Sequence, residues 1–238
     1  MPVTAMPRLT ARAAAFALAE FVALVRVGPM LVRAVLLAAP FVPVLVHGPT
    51  GAEDGAFGAL TATFVPALAF AWGLAWSRQT EPRLRALRPA FLGSPRLAKG
   101  ALATFTALAG ALAFAASCAV VAARAHAPLA DTLALARIGF ASAFAWIGLG
   151  AALAPGASAF TALLPLALAT MRSERGVLYA LVPNAQAYAL TVDPVSGLEA
   201  RARFGSMLAV GLTGLAAFAL RTSQSSQASQ PSPSSTPR

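Results

Sequence analysis

Carboxylates are scarce in this chain. Eight Asp and Glu stand against eighteen Lys and Arg, giving a net charge of +10. The eight are Glu20, Glu53, Asp54, Glu81, Asp131, Glu174, Asp193 and Glu199, and none falls in the middle of a long apolar run. A proton- or sodium-coupled carrier needs a buried ionisable group as its coupling site, so that class is disfavoured. The single cysteine, Cys118, lies inside an apolar run and has no partner for an intramolecular disulfide; it reads as a small packing residue. His47 and His126 fall far apart, and no His/Cys cluster has metal-ligand spacing, so neither a metal nor a cofactor is expected. The chain has no G-x-x-x-x-G-K-[ST] phosphate loop, no H-E-x-x-H and no G-x-S-x-G. Each of those patterns carries a specific chemistry, and without them no catalytic residue is assigned and the chain is not expected to be an enzyme. Lysine is nearly missing as well: Lys99 is the only one.

Charge as a whole is low. Charged residues make up 11% of the chain, against about 25% in a soluble domain. Hydrophobic residues make up 58%, and several runs approach the roughly 20 residues needed to cross a bilayer core of about 30 Å. The fold class is therefore all-α: a polytopic membrane protein of about six transmembrane helices, preceded by an interfacial amphipathic helix.

Residues 1–29 form a leader. Within Arg8–Val27, Glu20 interrupts the apolar stretch that a cleaved signal peptide would need. At 100° per residue, Arg12, Glu20 and Arg26 share one arc and Leu18, Phe21, Leu24 and Val25 the other, the pattern of a helix lying in the membrane interface. The membrane domain is 30–221. Its expected spans are Met30–Val46, Phe57–Trp76, Gly100–Ala123, Thr132–Leu153, Ser158–Met171 and Phe204–Leu220. Pro40 and Pro43 should kink the first; the carbonyls they free need partners, so the kink should face protein. Pro66 falls within the second, and Trp72 and Trp76 near its end, where an aromatic belt would place them. Arg137, one turn inside the fourth run, is expected to snorkel to the interface. The segment 172–203 reads as an outer loop whose apolar patches, Gly176–Val182 and Ala185–Val192, are short helices dipping into the outer leaflet. The tail 222–238 has no large apolar residue and should be disordered.

The basic residues are not spread over a soluble face. Six of them, Arg78, Arg83, Arg85, Arg88, Arg96 and Lys99, fall between Ser77 and Lys99 beside one acid, Glu81. Such a loop belongs on the cytoplasmic side, as do Arg8, Arg12, Arg26 and Arg33 two spans earlier. Both termini are then cytoplasmic in a multi-pass protein of the cell (plasma or inner) membrane. This placement accounts for the net charge through the bilayer, and no nucleic-acid partner is expected.

Several residues carry a likeness to a known family. Glu20-Phe21 and Arg26-Val27-Gly28-Pro29 lead into the first span. Glu81, Leu84, Leu87, Pro89 (or Pro95) and Lys99 make up a charged segment between the second and third. Pro183-Asn184-Ala185-Gln186-Ala187-Tyr188 precedes the last. In this layout the chain resembles the membrane subunit of an ABC-2 type transporter over most of residues 12–220. It departs from that family at Pro82-Arg83-Leu84-Arg85, where a Gly-Thr-Leu-Glu core is usual. The resemblance implies a permease that works with a separate cytoplasmic ATPase and with a second permease subunit, identical or not. It also implies that Glu81, Arg83, Leu84, Arg85, Leu87, Arg88 and Lys99 form the ATPase contact. Two readings compete with it. In one, the arginines only set topology and bind anionic lipid. In the other, the chain is a membrane scaffold or assembly factor that has kept the permease fold without transporting.

Overall fold

The structure is a computed structural model that describes residues 15, 18–26, 28–46, 54–86, 95–156, 160–170, 182–192 and 197–221. The expected disordered tail, residues 222–238, lies outside them, as do Arg12 and most of the patch 176–182. Among the described residues every regular element is a helix. In chain order these are α1 (18–26), α2 (Met30–Ala38), a 3-10 turn (Ala39–Phe41), α3 (Val42–Val46), α4 (Asp54–Ala59), a π turn (Leu60–Phe64) and α5 (Val65–Ala86). Then come α6 (Pro95–Arg124), α7 (Leu129–Leu153), 3-10 turns at Ala154–Gly156 and Phe160–Leu163, α8 (Leu164–Thr170), α9 (Pro183–Val192) and α10 (Leu198–Arg221).

Among the described residues four stretches are long and apolar enough to cross a membrane: Ala56–Thr80, Lys99–Arg124, Leu129–Leu153 and Leu198–Leu220. The architecture is that of a helical, membrane-embedded protein. Two expected spans differ. Met30–Val46 is apolar but short; at about 1.5 Å per residue it reaches roughly 25 Å, and the 3-10 turn at Pro40 breaks it. The described part of the run Ser158–Met171, residues 160–170, divides into the turn Phe160–Leu163 and the short α8 and is no single long helix. The last helix, conversely, begins at Leu198 and not at Phe204. Glu199 and Arg203 hold its first turns helical through an i, i+4 pair, with Arg203 Nη2 2.6 Å from Glu199 Oε1. Such pairs stabilise a helix.

Helix α7 stands at the centre, packed by α5, α6 and α10. Its apolar residues run around its whole circumference, as a fully buried helix requires, and Ala141 through Gly148 are all buried. Backbones cross here at contact distance. A Cβ added to Gly150 would sit 2.5 Å from the carbonyl oxygen of Phe70 on α5, and one on Gly73 would strike the backbone of Ile147. On the other flank, a Cβ on Gly148 would strike the Gly211 carbonyl of α10, and one on Gly214 would come within 2.5 Å of the Gly148 carbonyl. Small residues let helices approach this closely where lipid supplies no hydrophobic drive between them.

The expected belt of Trp72 and Trp76 is not where those rings lie. Both are inside the bundle, 2% and 1% exposed. Trp76 packs on Phe218 of α10 with ring centroids 5.3 Å apart, and Trp72 stacks on Phe21 of α1. Leu24 of α1 is also fully buried. The Phe21–Leu24 part of the leader helix is therefore docked on the bundle, while Leu18 and Arg26 stay exposed.

The turn from α6 to α7 ends the first helix in a Schellman arrangement. The amide of Ala127 donates to the carbonyl of Ala122, and that of His126 to Ala123, with His126 at φ 58°. A side chain in that left-handed conformation costs roughly 1–2 kcal/mol, which glycine avoids, against a greater loss of chain entropy for glycine of about 0.5–1 kcal/mol. His126→Gly is therefore expected to raise stability by about 0.5 kcal/mol and His126→Val to lower it by more than 1 kcal/mol, read as the order of their thermal midpoints.

Candidate functional site

Two ends of the bundle hold polar groups. The first is the basic end. Helix α5 continues past the membrane-length stretch to Ala86, and α6 starts with Pro95 in its first turn, where a missing amide N–H costs nothing. Glu81, Arg83, Leu84 and Arg85 are thus helical backbone at the end of α5; Leu87 and Arg88 lie outside the described residues. Lys99 differs from the expectation. It is 4% exposed, and its Nζ lies 3.9 Å from the centroid of the Phe218 ring. That cation–π contact joins α6 to α10 and takes Lys99 off any partner-facing surface of this chain. Ser77 Oγ donates to the Ala151 carbonyl at 3.2 Å and Arg78 Nε to that of Ala154 at 3.4 Å. Both satisfy carbonyls at the C-terminal end of α7, which have no amide partner in the helix and attract a cation.

The second is the opposite end, where α6 turns into α7. Here Pro66 shapes the site. Proline cannot donate to the preceding turn, and its ring clashes with the carbonyl four residues back. The chain responds with the π turn Leu60–Phe64, closed by the Val65 amide on the Leu60 carbonyl. In that wider register the amide of residue 66 would bond the carbonyl of Thr61. Proline supplies none, and Ser142 Oγ of α7 donates to it instead at 3.1 Å. The Thr61 hydroxyl donates to the Phe57 carbonyl at 3.0 Å and lies 2.9 Å from Thr191 Oγ1 of α9. Thr191 in turn donates to the Ala187 carbonyl at 2.7 Å. This chain of hydroxyls ties α4, α7 and α9 together through a backbone irregularity, and π turns occur often at functional sites.

Beside it lies a cavity of about 350 Å³. Phe57, Leu135, Ile138 and Leu190 are among its apolar lining residues, with Thr191 and Asp131 as its polar ones. Asp131 occupies the first turn of α7, where a carboxylate complements the helix dipole by about 0.3–1 kcal/mol. On the far side of α9, Asn184 is buried and its Nδ2 donates to the Pro165 carbonyl at 2.8 Å, which anchors α8 to α9. The patch Ala185–Val192 is thus a helix packed against α4 and α7. Arg137 is exposed on α7 and does not reach the cavity wall.

Among the described residues no group of three His, Cys, Asp or Glu could hold a metal ion. Nothing in the residue pattern singles out Thr61, Ser142 or Thr191, because hydroxyls inside a helix ordinarily back-bond within it. Pro66 was the available signal, since it orphans a carbonyl that some neighbour must reach. Comparison with protein-family models, with curated proteins and with solved structures finds no match to this chain.

Proposed function

We propose that this chain is the membrane-spanning permease subunit of an ATP-driven, ABC-2 type exporter. A separate cytoplasmic ATPase binds the 77–99 segment, and two permease subunits work as a homo- or heterodimer. In this reading Met30–Val46 is a short first crossing and the 158–171 run a fifth, for six in all, with both termini in the cytoplasm of a cell-membrane protein. The observation that supports coupling is mechanical. Helix α5 runs unbroken from Val65 to Ala86, so the segment expected to meet the ATPase continues the same rigid helix that carries Trp72 and Trp76 in the core. A push at Leu84 is delivered to the α5–α7 crossing without passing through a loop.

The test is co-purification. An ATPase retained stoichiometrically by the wild type should be lost at least tenfold on the double substitution Leu84→Ala, Leu87→Ala. Undiminished retention sinks the docking role. The scaffold reading is favoured by one feature, Arg85 where the family carries an acid, and it takes precedence if no ATPase co-purifies at all. Sidedness has its own check. Cys118 is fully buried, so a Ser94→Cys protein carries one accessible thiol, which an impermeant maleimide should label only from the cytoplasmic face.

A further inference from the structure

The cavity between the start of α7 and α9 has a composition that selects its ligand. Among the described residues the Asp131 side chain makes no hydrogen bond and no ion pair. Asp131 is exposed to solvent and lines a space walled by Phe57, Leu135, Ile138 and Leu190. Asp131 and Thr191, the only two described residues with polar side chains in its lining, fall far short of the six to eight oxygens that a hard divalent cation gathers. An anion would meet the Asp131 charge directly. A neutral apolar ligand would leave that charge in water and gain nothing from it. The complementary ligand carries one positive charge on a short apolar body, and about 350 Å³ is the size of a small-molecule site and not of a polymer groove. Phe57 adds an aromatic wall to the same space, and aromatic faces favour ammonium groups.

We infer that this cavity binds alkylammonium groups, with Asp131 as the counter-ion and the Phe57–Leu135–Ile138–Leu190 walls holding the apolar part. The site does not depend on the permease reading: it needs only the α6–α7 turn, α9 and the π turn, all within this chain. Its position at the end of the bundle away from the 77–99 segment makes it separate from the proposed ATPase contact. A free amphipathic amine and a lipid headgroup of the choline or ethanolamine type both supply the ammonium, and the recognising chemistry is the same.

The full-length protein in an uncharged maltoside micelle is titrated calorimetrically with hexyltrimethylammonium, with hexanol and with hexanesulfonate, subtracting protein-free micelles. Saturable binding of the ammonium is expected, with hexanol and hexanesulfonate each at least tenfold weaker. Asp131→Asn should weaken the ammonium at least tenfold and leave hexanol unchanged, while Asp131→Glu keeps binding within about threefold. Leu135→Trp, which fills the cavity, should abolish both. Thermal melts of each variant separate loss of the site from loss of the fold; if Leu135→Trp does not fold, Asp131→Asn against Asp131→Glu still decides. The proposal is overturned if Asp131→Asn binds hexyltrimethylammonium as tightly as the wild type, or if the wild type prefers hexanol or hexanesulfonate. Competition by added phosphatidylcholine would assign the site to a lipid headgroup, and its absence to a free amine; either supports the ammonium chemistry.

Discussion

A leucine at Gly148 is expected to keep the long helices from closing on one another. The first atom it adds would collide with the Gly211 carbonyl and come within 2.9 Å of the Gly211 Cα. Those are backbone atoms of a helix packed against Phe144 and, through its own Phe218, against Trp76, so no flexible side chain can swing aside. Overpacking in a core usually costs 1–3 kcal/mol. With backbone on both sides the cost here should reach about 3 kcal/mol or more, which for a chain of this length lowers the thermal midpoint by roughly 10 °C. Gly205→Leu supplies the control. It adds the same side chain to α10, at a position where a Cβ meets nothing within 4 Å, and should leave the midpoint within about 2 °C of the wild type. Thermal unfolding and size-exclusion profiles in detergent check both. Equal behaviour of the two variants would mean that the Gly148–Gly211–Gly214 crossing does not hold α7 to α10.

The amount of this arrangement that can be read from the sequence follows from the range of the interactions involved. Apolar run length is local, and it locates the four long helices to within a few residues at most ends. The early start of α10 depends on one i, i+4 pair, Glu199–Arg203, which competes with the polarity that makes residues 198–203 look like loop. Prolines are local signals as well. Pro40 and Pro66 announce that carbonyls will be freed and that the kinks must face protein. The partners, however, lie far along the chain. Trp72 serves Leu36 from 36 residues away, Ser117 serves Pro40 from 77, Arg124 serves Val44 from 80, and Ser142 serves Thr61 from 81. No periodicity connects such residues. Lys99 shows the same limit in reverse. Its place in a basic segment suggests exposure, and only the arrival of Phe218 beneath it accounts for its burial. The candidate cavity was less legible still, because Asp131 looks like an ordinary acid in the first turn of a helix until α9 is set beside it.

Trp72→Phe tests the idea that joins these partners, namely that a proline break in one helix is held by a side chain from another. Without an amide at Pro40, the Leu36 carbonyl loses its partner four residues on. Leu36 is buried, and Trp72 Nε1 donates to its carbonyl at 3.1 Å. Phenylalanine keeps an aromatic ring against Phe21 but has no N–H to offer. Leaving a buried carbonyl unsatisfied costs about 1–3 kcal/mol, and the smaller ring adds a cavity term, so a total loss of about 2–3 kcal/mol is expected. Pro40→Ala restores the backbone amide that could take over this carbonyl. In that background Trp72→Phe should lose only the packing part, so the two substitutions should be coupled by about 1 kcal/mol or more, within the range for residues that share one partner. Strict additivity would mean that the indole is there for its volume alone. A coupling of the expected sign would establish that the indole N–H holds the Leu36 carbonyl freed by Pro40 and so ties α2 to α5.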